Sequence, residues 1–391
     1  MAGVARLTTG GTIFEQAHAS AYVAPAGPGR APMAFHWRLP GYAPTPLLDA
    51  VDLARALGLG HVWLKLETQR LGLPAFKILG AAWAIYRALA ERYGEPPAWQ
   101  QLDELAAWLA PHQPLTLVAA TDGNHGRAVA RMAVLLGCAA RIYVPAGMAQ
   151  ARIDAIAGEG ASVIIVDGTY DEAVARSAED ADARQLVISD TSWPGYQDVP
   201  RWVIEGYSTI LWEIDDQLAA LGAPPPDLAL TQIGVGALAA AVVGHFRQAG
   251  QTARPRLVGV EPTRACATLR SLQAGQLVAV PGPHDSIMAG LNCGTPSPLA
   301  YPIVSGGTDL FVAIEDKRAR EAMRLLAASD VVAGETGAAG LGVLLELLRG
   351  PAAERNREFL NITSQTSALL IITEGATDPQ AWERIVNPTE A

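Results

Sequence analysis

The chain is 391 residues long, half of them hydrophobic and 17% charged, with a formal net charge of -10. The length predicts two domains, and the composition excludes a disordered chain. An acidic balance without a basic run excludes attraction to nucleic acid or to an anionic membrane surface, which leaves a small-molecule protein.

Cys138, Cys266 and Cys293 lie far apart with no CxxC pair, as expected of free, mostly buried thiols in a reducing compartment. The seven histidines show no ligand spacing, so no metal site is expected. Residues 1–6 lead into polar Thr8, Thr9, Gly10 and Gly11 without an apolar signal core. No apolar run approaches the roughly 20 residues of a membrane span. A cytoplasmic protein with no membrane partner is the expectation.

In chain order, the first forty residues are rich in Pro and Gly and read as loop. Residues 61–67 alternate like a short strand, and 78–93 carry Ala, Leu, Trp, Ile and Tyr at helical spacing. A helix over 102–109 follows the Pro96-Pro97 connection. Strand, turn and helix then repeat. Strands are expected at 116–120, 141–145, 162–167 and 185–190, with helices to about 136, over 151–158 and over 171–183. A second series follows the helix 202–221. Its strands are 228–233, 256–261, 308–314 and 368–373, with helices to 246, over 317–328 and over 337–348. The alternation predicts an α/β fold of two doubly wound, mostly parallel-sheet domains. Ligands in such folds sit at the carboxyl ends of strands, where the Gly-rich turns of this chain fall.

Lys77 is a lone ammonium in GLPAFKILGAA, residues 72–82. Either its stem carries the charge out to water, or burial lowers its pKa and leaves a nucleophilic amine. Gly234, Val235, Gly236 and Ala237 follow a strand and open a helix, a place where amides and the helix dipole suit a phosphate. With Leu238 and Ala239 they also match the dinucleotide fingerprint, and Glu261, 27 residues after Gly234, would then stand at a ribose. A plain tight turn is the third reading.

Thr121-Asp122-Gly123-Asn124-His125-Gly126 crowds Asp, Asn and His around two glycines at a strand end. Asp and Asn are also ordinary turn and cap residues. Asp190 ends another strand and suits a cationic ligand group or a cap. Thr373 ends the last strand, and Glu335 lies in an anion-friendly turn that opens a helix. A Schiff-base lysine, a glycine cradle, an Asn for a ring oxygen and a hydroxyl for a ring nitrogen together suit pyridoxal 5'-phosphate.

Six segments carry a resemblance: ETQRLGLPAFKILG (67–80), ATDGNHGRAV (120–129), SDTSWPGY (189–196), QIGVGA (232–237), IMAGLNCG (287–294) and TEGATDP (373–379). In that order they resemble the fold-type II pyridoxal-phosphate enzymes and, among these, the diaminopropionate ammonia-lyases. The resemblance implies a homodimer with the cofactor in the cleft between two domains, a large one of residues 1–85 and 199–391 and a small one of 86–198. It implies that Lys77 holds the cofactor beside Phe76. Gly234, Val235, Gly236 and Ala237 would bind its phosphate, Asn124 its ring hydroxyl and Thr373 its ring nitrogen. Lys77, Asp122 and Asp190 would be catalytic, and Asp122, Asp190, Thr121, Gly123 and Glu335 would meet the substrate.

The expected reaction is α,β-elimination of ammonia from 2,3-diaminopropionate, giving pyruvate and a second ammonia. Asp122 and Asp190 would supply the anionic partners that a second substrate ammonium requires. Ser189, Pro194, Asn292 and Tyr301-Pro302 depart from the usual family spelling. A serine/threonine dehydratase or racemase acting on another β-substituted amino acid is the alternative.

Overall fold

A computed structural model describes residues 4–8, 11–16 and 18–388 of the chain. The expectation of a start without a signal core falls partly outside these, at residues 1–3 and at Thr9 and Gly10.

Among the described residues twelve strands form two sheets. They are β1 (Val4–Thr8), β2 (Gly11–Glu15), β3 (Leu47–Asp49), β4 (His61–Leu66), β5 (Thr116–Ala120) and β6 (Ala139–Pro145), followed by β7 (Ser162–Val166), β8 (Gln185–Val187), β9 (Leu228–Gln232), β10 (Arg256–Pro262), β11 (Leu310–Ile314) and β12 (Ser367–Ile372). The larger sheet runs β1-β2-β11-β10-β9-β12-β4-β3, and the smaller one runs β7-β6-β5-β8. The smaller sheet is wholly parallel, and so is the β11-β10-β9-β12-β4 centre of the larger. Among the named strands of the described residues, the antiparallel pairs lie at the larger sheet's two edges. Every residue of β9, β11 and β12 is buried, as strands covered by helices on both faces must be. The α/β class and the mostly parallel sheets are as expected.

The start of the chain is not loop. β2 pairs antiparallel with β11, Ile13 opposite Val312, and Ala31–His36 is a helix with Pro32 in its first turn. Local composition hides such a strand because its partner lies at the far end of the chain. The short helices Val51–Leu57, Ala267–Ala274, Ala300–Gly307, Ala353–Leu360 and Pro379–Val386, and the edge strand β3, are likewise additions to the expected set.

Two features fix the helix that begins at Lys77. Helix Lys77–Tyr93 crosses helix Asp198–Ala220 where Gly80 meets Gly206. A β-carbon on Gly206 would lie 2.5 Å from the Leu79 carbonyl oxygen, and one on Gly80 would overlap the Tyr207 ring. Upstream, a buried ion network ties the segment to the same long helix. Lys65 Nζ donates to Glu213 Oε2 at 2.7 Å and to the Thr45 carbonyl at 2.7 Å. Arg70 donates to both Glu67 and Glu213, at 2.6 and 2.7 Å. Among the described residues no helix is long and apolar enough to cross a membrane.

Candidate active site

The neighbouring strands β5 and β8 end in the Asp122 and Asp190 loops, and the neighbouring strands β9 and β12 end at Gly234 and Thr373. Sheet order therefore brings sequence-distant turns to one pocket. Its wall includes Phe76, Lys77, Asp122, Asn124, Asp190 and Thr373, together with Gly234, Val235, Gly236 and Ala237. This is the carboxyl-end crevice that parallel sheets offer to ligands.

Lys77 is the first residue of its helix, and its Nζ donates to Asp190 Oδ2 at 2.7 Å. Of the two readings open from the sequence, the structure holds the amine in the pocket beside Asp190 rather than carrying it out to water. Burial lowers the Lys77 pKa, but the Asp190 carboxylate, with Tyr207 and Asp122, outweighs it and raises it. Asp190 is the reciprocal case: burial pushes its carboxyl up, while the Lys77 ammonium holds it well below the usual range. The Tyr170 hydroxyl donates to its other oxygen at 3.0 Å. Trp193 and Tyr196 stack at 4.1 Å to pin the Asp190 loop, and the Tyr196 hydroxyl donates to the Val187 carbonyl at 2.6 Å.

Asp122 has a different environment. Burial pushes its carboxyl up to about 6, with Lys77 opposing and Asp190 reinforcing the shift. Two carboxylates in one pocket are thereby driven apart in acidity, the pattern that assigns different proton-transfer roles.

Thr121, Gly123 and Glu335, expected at the substrate, are not part of the pocket wall. The Thr121 hydroxyl accepts from the Gly123 and Gly126 amides at 2.9 and 3.0 Å, so its side chain shapes the loop. Glu335 is buried near Glu374, and burial raises its pKa. His125 is a core residue whose Nε2 bonds the Ile188 carbonyl at 2.7 Å.

Sequence reasoning passed over Glu374, which ties the site together. One oxygen accepts from Asn124 Nδ2 at 2.6 Å and the other from the Thr336 amide at 3.1 Å. Its place in the Thr373-Glu374-Gly375 turn was the only available signal. Tyr170, at the start of helix Tyr170–Ala178, carried no signal.

The pocket fits pyridoxal phosphate on two observations. Among the described residues Thr373 Oγ1 is buried without a hydrogen-bond partner, as a group suited to a ring nitrogen would be. Gly236 adopts φ 103°, which turns the chain so that helix Ala237–Phe246 opens at the pocket with its first amides free for an anion. The dinucleotide reading fails at Glu261, because its oxygens accept from the Thr268 and Leu269 amides at 2.9 Å each. Its carboxyl caps a helix, and burial pushes it up to about 8.

The fold and site define a pyridoxal-phosphate-dependent enzyme. The family model described as pyridoxal-phosphate dependent enzyme matches residues 38–360, and the chain belongs to that family. Within it, the chain is 37% identical over 376 residues to the diaminopropionate ammonia-lyase of Salmonella typhimurium, covering 92% of this chain and 91% of that one. The crystal structure of the Escherichia coli diaminopropionate ammonia lyase with an aminoacrylate-PLP azomethine reaction intermediate superposes with a TM-score of 0.87 at 34% identity, covering 96% of each chain. An L-threonine dehydratase of Corynebacterium glutamicum is more distant, 27% identical over 80% of this chain and 65% of its own length.

Proposed function

We propose that this protein eliminates ammonia from 2,3-diaminopropionate, giving pyruvate and two molecules of ammonia with one water consumed. The observation that carries this reading is the pair of buried carboxylates, Asp122 and Asp190, sharing the pocket with Lys77. A substrate with a second ammonium in place of a hydroxyl calls for such anionic partners.

Pyridoxal phosphate would be held by Lys77 beside Phe76, with its phosphate at Gly234, Val235, Gly236 and Ala237. Asn124 would meet its ring hydroxyl and Thr373 its ring nitrogen. When bound, it supplies an electron sink for the charge left on the α-carbon.

The chain's own residues do the rest. Lys77 Nζ and the Asp122 carboxylate are the two bases for the α-proton, acting on opposite faces and so on opposite enantiomers. Asp190, which pairs with the Lys77 ammonium here, offers the same carboxylate to the substrate's second ammonium. A carboxylate at that position keeps the departing amine protonated as it leaves. Tyr170 fixes the Asp190 carboxylate, and the Glu374–Asn124 bond sets the amide of Asn124.

The same reading takes residues 1–85 and 199–391 as the large domain and 86–198 as the small one. It takes the enzyme as a cytoplasmic homodimer whose acidic charge fits a small amino-acid partner. The test is Lys77→Ala. Loss of the bound cofactor's visible absorbance, and of pyruvate release from both enantiomers, is the expected result. Retained pyruvate release from either would overturn the assignment.

A further inference from the structure

The Asp190 loop and the glycine cradle belong to different sheets. Asp190 follows β8 of the smaller sheet, and Val235 and Gly236 follow β9 of the larger one. Loops move more than the strands they leave. The proposed reaction nevertheless needs a fixed spacing between these two, since a substrate seated over the cradle must reach the Asp190 carboxylate.

One short segment bridges the gap. Residues 293–299 read CGTPSPL, so Ser297 has a proline on each side. Proline fixes its own φ and restricts the residue before it, which seats Ser297 on stiff backbone. Its carbonyl accepts from the Tyr301 amide at 2.9 Å and so roots the segment on helix Ala300–Gly307. Its amide donates to the Val235 carbonyl of the cradle at 2.9 Å.

The Ser297 side chain faces the other way, toward the acid. Its hydroxyl accepts from the Ser192 amide at 3.2 Å and shares a hydrogen bond of 2.9 Å with the Ser192 hydroxyl. The Ser192 hydroxyl accepts in turn from the Leu299 amide at 2.9 Å. Ser192 stands two residues after Asp190. Ser192 and Ser297 are 5% and 1% exposed, so water does not compete for these bonds.

The same segment also meets the other support of Asp190. Thr295 Oγ1 donates to Asp171 Oδ2 at 2.8 Å, and Asp171 follows Tyr170, whose hydroxyl holds Asp190 Oδ1. That tie lies at the surface, whereas the serine pair is sealed. Neither serine belongs to the pocket wall, so both act through Asp190.

We infer that Ser297 is a positioning residue for Asp190. Through its buried hydroxyl pair with Ser192 it fixes the carboxylate at a set distance from the glycine cradle, and so aligns it on the substrate's second ammonium. The inference rests on the diaminopropionate reading for what Asp190 meets.

The test compares two ligands on the cofactor-loaded enzyme with Ser297→Ala, Ser192→Ala and the double variant, each first shown by thermal unfolding to be folded. 2,3-Diaminopropionate carries the second ammonium, and serine of the same hand carries a hydroxyl in its place. Each single variant should raise KM for 2,3-diaminopropionate about tenfold, the scale of one charge-assisted hydrogen bond put out of line. The inhibition constant of serine should stay unchanged. The double variant should do no worse than either single one, because the two hydroxyls make one contact. Cofactor affinity, read by absorbance titration of the cofactor-free proteins, should also be unchanged.

An unchanged KM for 2,3-diaminopropionate in the single variants would overturn the positioning. So would an equal weakening of serine or of the cofactor, since the pair would then merely support the pocket. If Ser297→Ala does not fold, Ser192→Ala decides alone. If the unaltered enzyme releases no pyruvate from 2,3-diaminopropionate, the substrate reading fails instead. The kcat for the amino acid it does consume then decides on Ser297, a fall in both single variants supporting the positioning and no change overturning it.

Discussion

At the residue scale, the site depends on Asp122 being a weaker acid than Asp190. Burial sets its carboxyl at about 6. As the base proposed for one enantiomer it must be ionised, so that elimination should fall away as pH drops through about 6. Asp122→Asn should abolish pyruvate release from one enantiomer, largely sparing the other, for which the proposal makes Lys77 the base. Equal loss for both would contradict separate bases. Asp122 and Asn124 stood out because a simple turn would not need them packed around two glycines. Thr373 did because it ends the last strand in a segment that carries the family resemblance, and all three line the pocket. Glu374 was not legible, since its partner Asn124 is 250 residues away in sequence and only the sheet order brings them together. The charge state of Lys77 was also hidden, because its sign depends on Asp190 from another strand.

At the element scale, two contacts hold the Lys77 helix against helix Asp198–Ala220. Gly80→Ala would push a methyl into the Tyr207 ring. It should destabilise the protein by about 1–3 kcal/mol, the usual cost of overpacking, read from denaturant unfolding. Glu213→Gln would strip charge from a carboxylate that pairs both Lys65 and Arg70 with no exposed surface. Removing one partner of such a buried set costs about 3–5 kcal/mol.

The sign with pH follows from the direction of the Glu213 shift. Burial pushes its carboxyl up, but Arg70 and Lys65 outweigh that and hold its pKa below the ordinary value. Its contribution is therefore present above the unfolded carboxylate pKa and lost as pH falls through the lowered folded one. Glu213→Gln should accordingly be closest to the unaltered protein in acid and furthest from it near neutrality. Periodicity read the regular elements well, and helix Leu102–Leu109 and strand Thr116–Ala120 fall where expected. It failed at β2, which is a strand because β11 offers it an edge.

At the scale of the molecule, alternating strands and helices made two parallel sheets legible. What they could not give is which turns become neighbours. The order β9-β12-β4 and the order β5-β8 decide that, through pairings between strands far apart in the chain. The resulting pocket holds three carboxylates, a lysine and a hydroxyl without a hydrogen-bond partner among the described residues, and the substrate is read from that balance of charge. Pyruvate release by the cofactor-loaded enzyme from 2,3-diaminopropionate, set against serine and threonine, tests this most directly. A kcat/KM for 2,3-diaminopropionate well above both is the expected result, and a strong preference for threonine would contradict it.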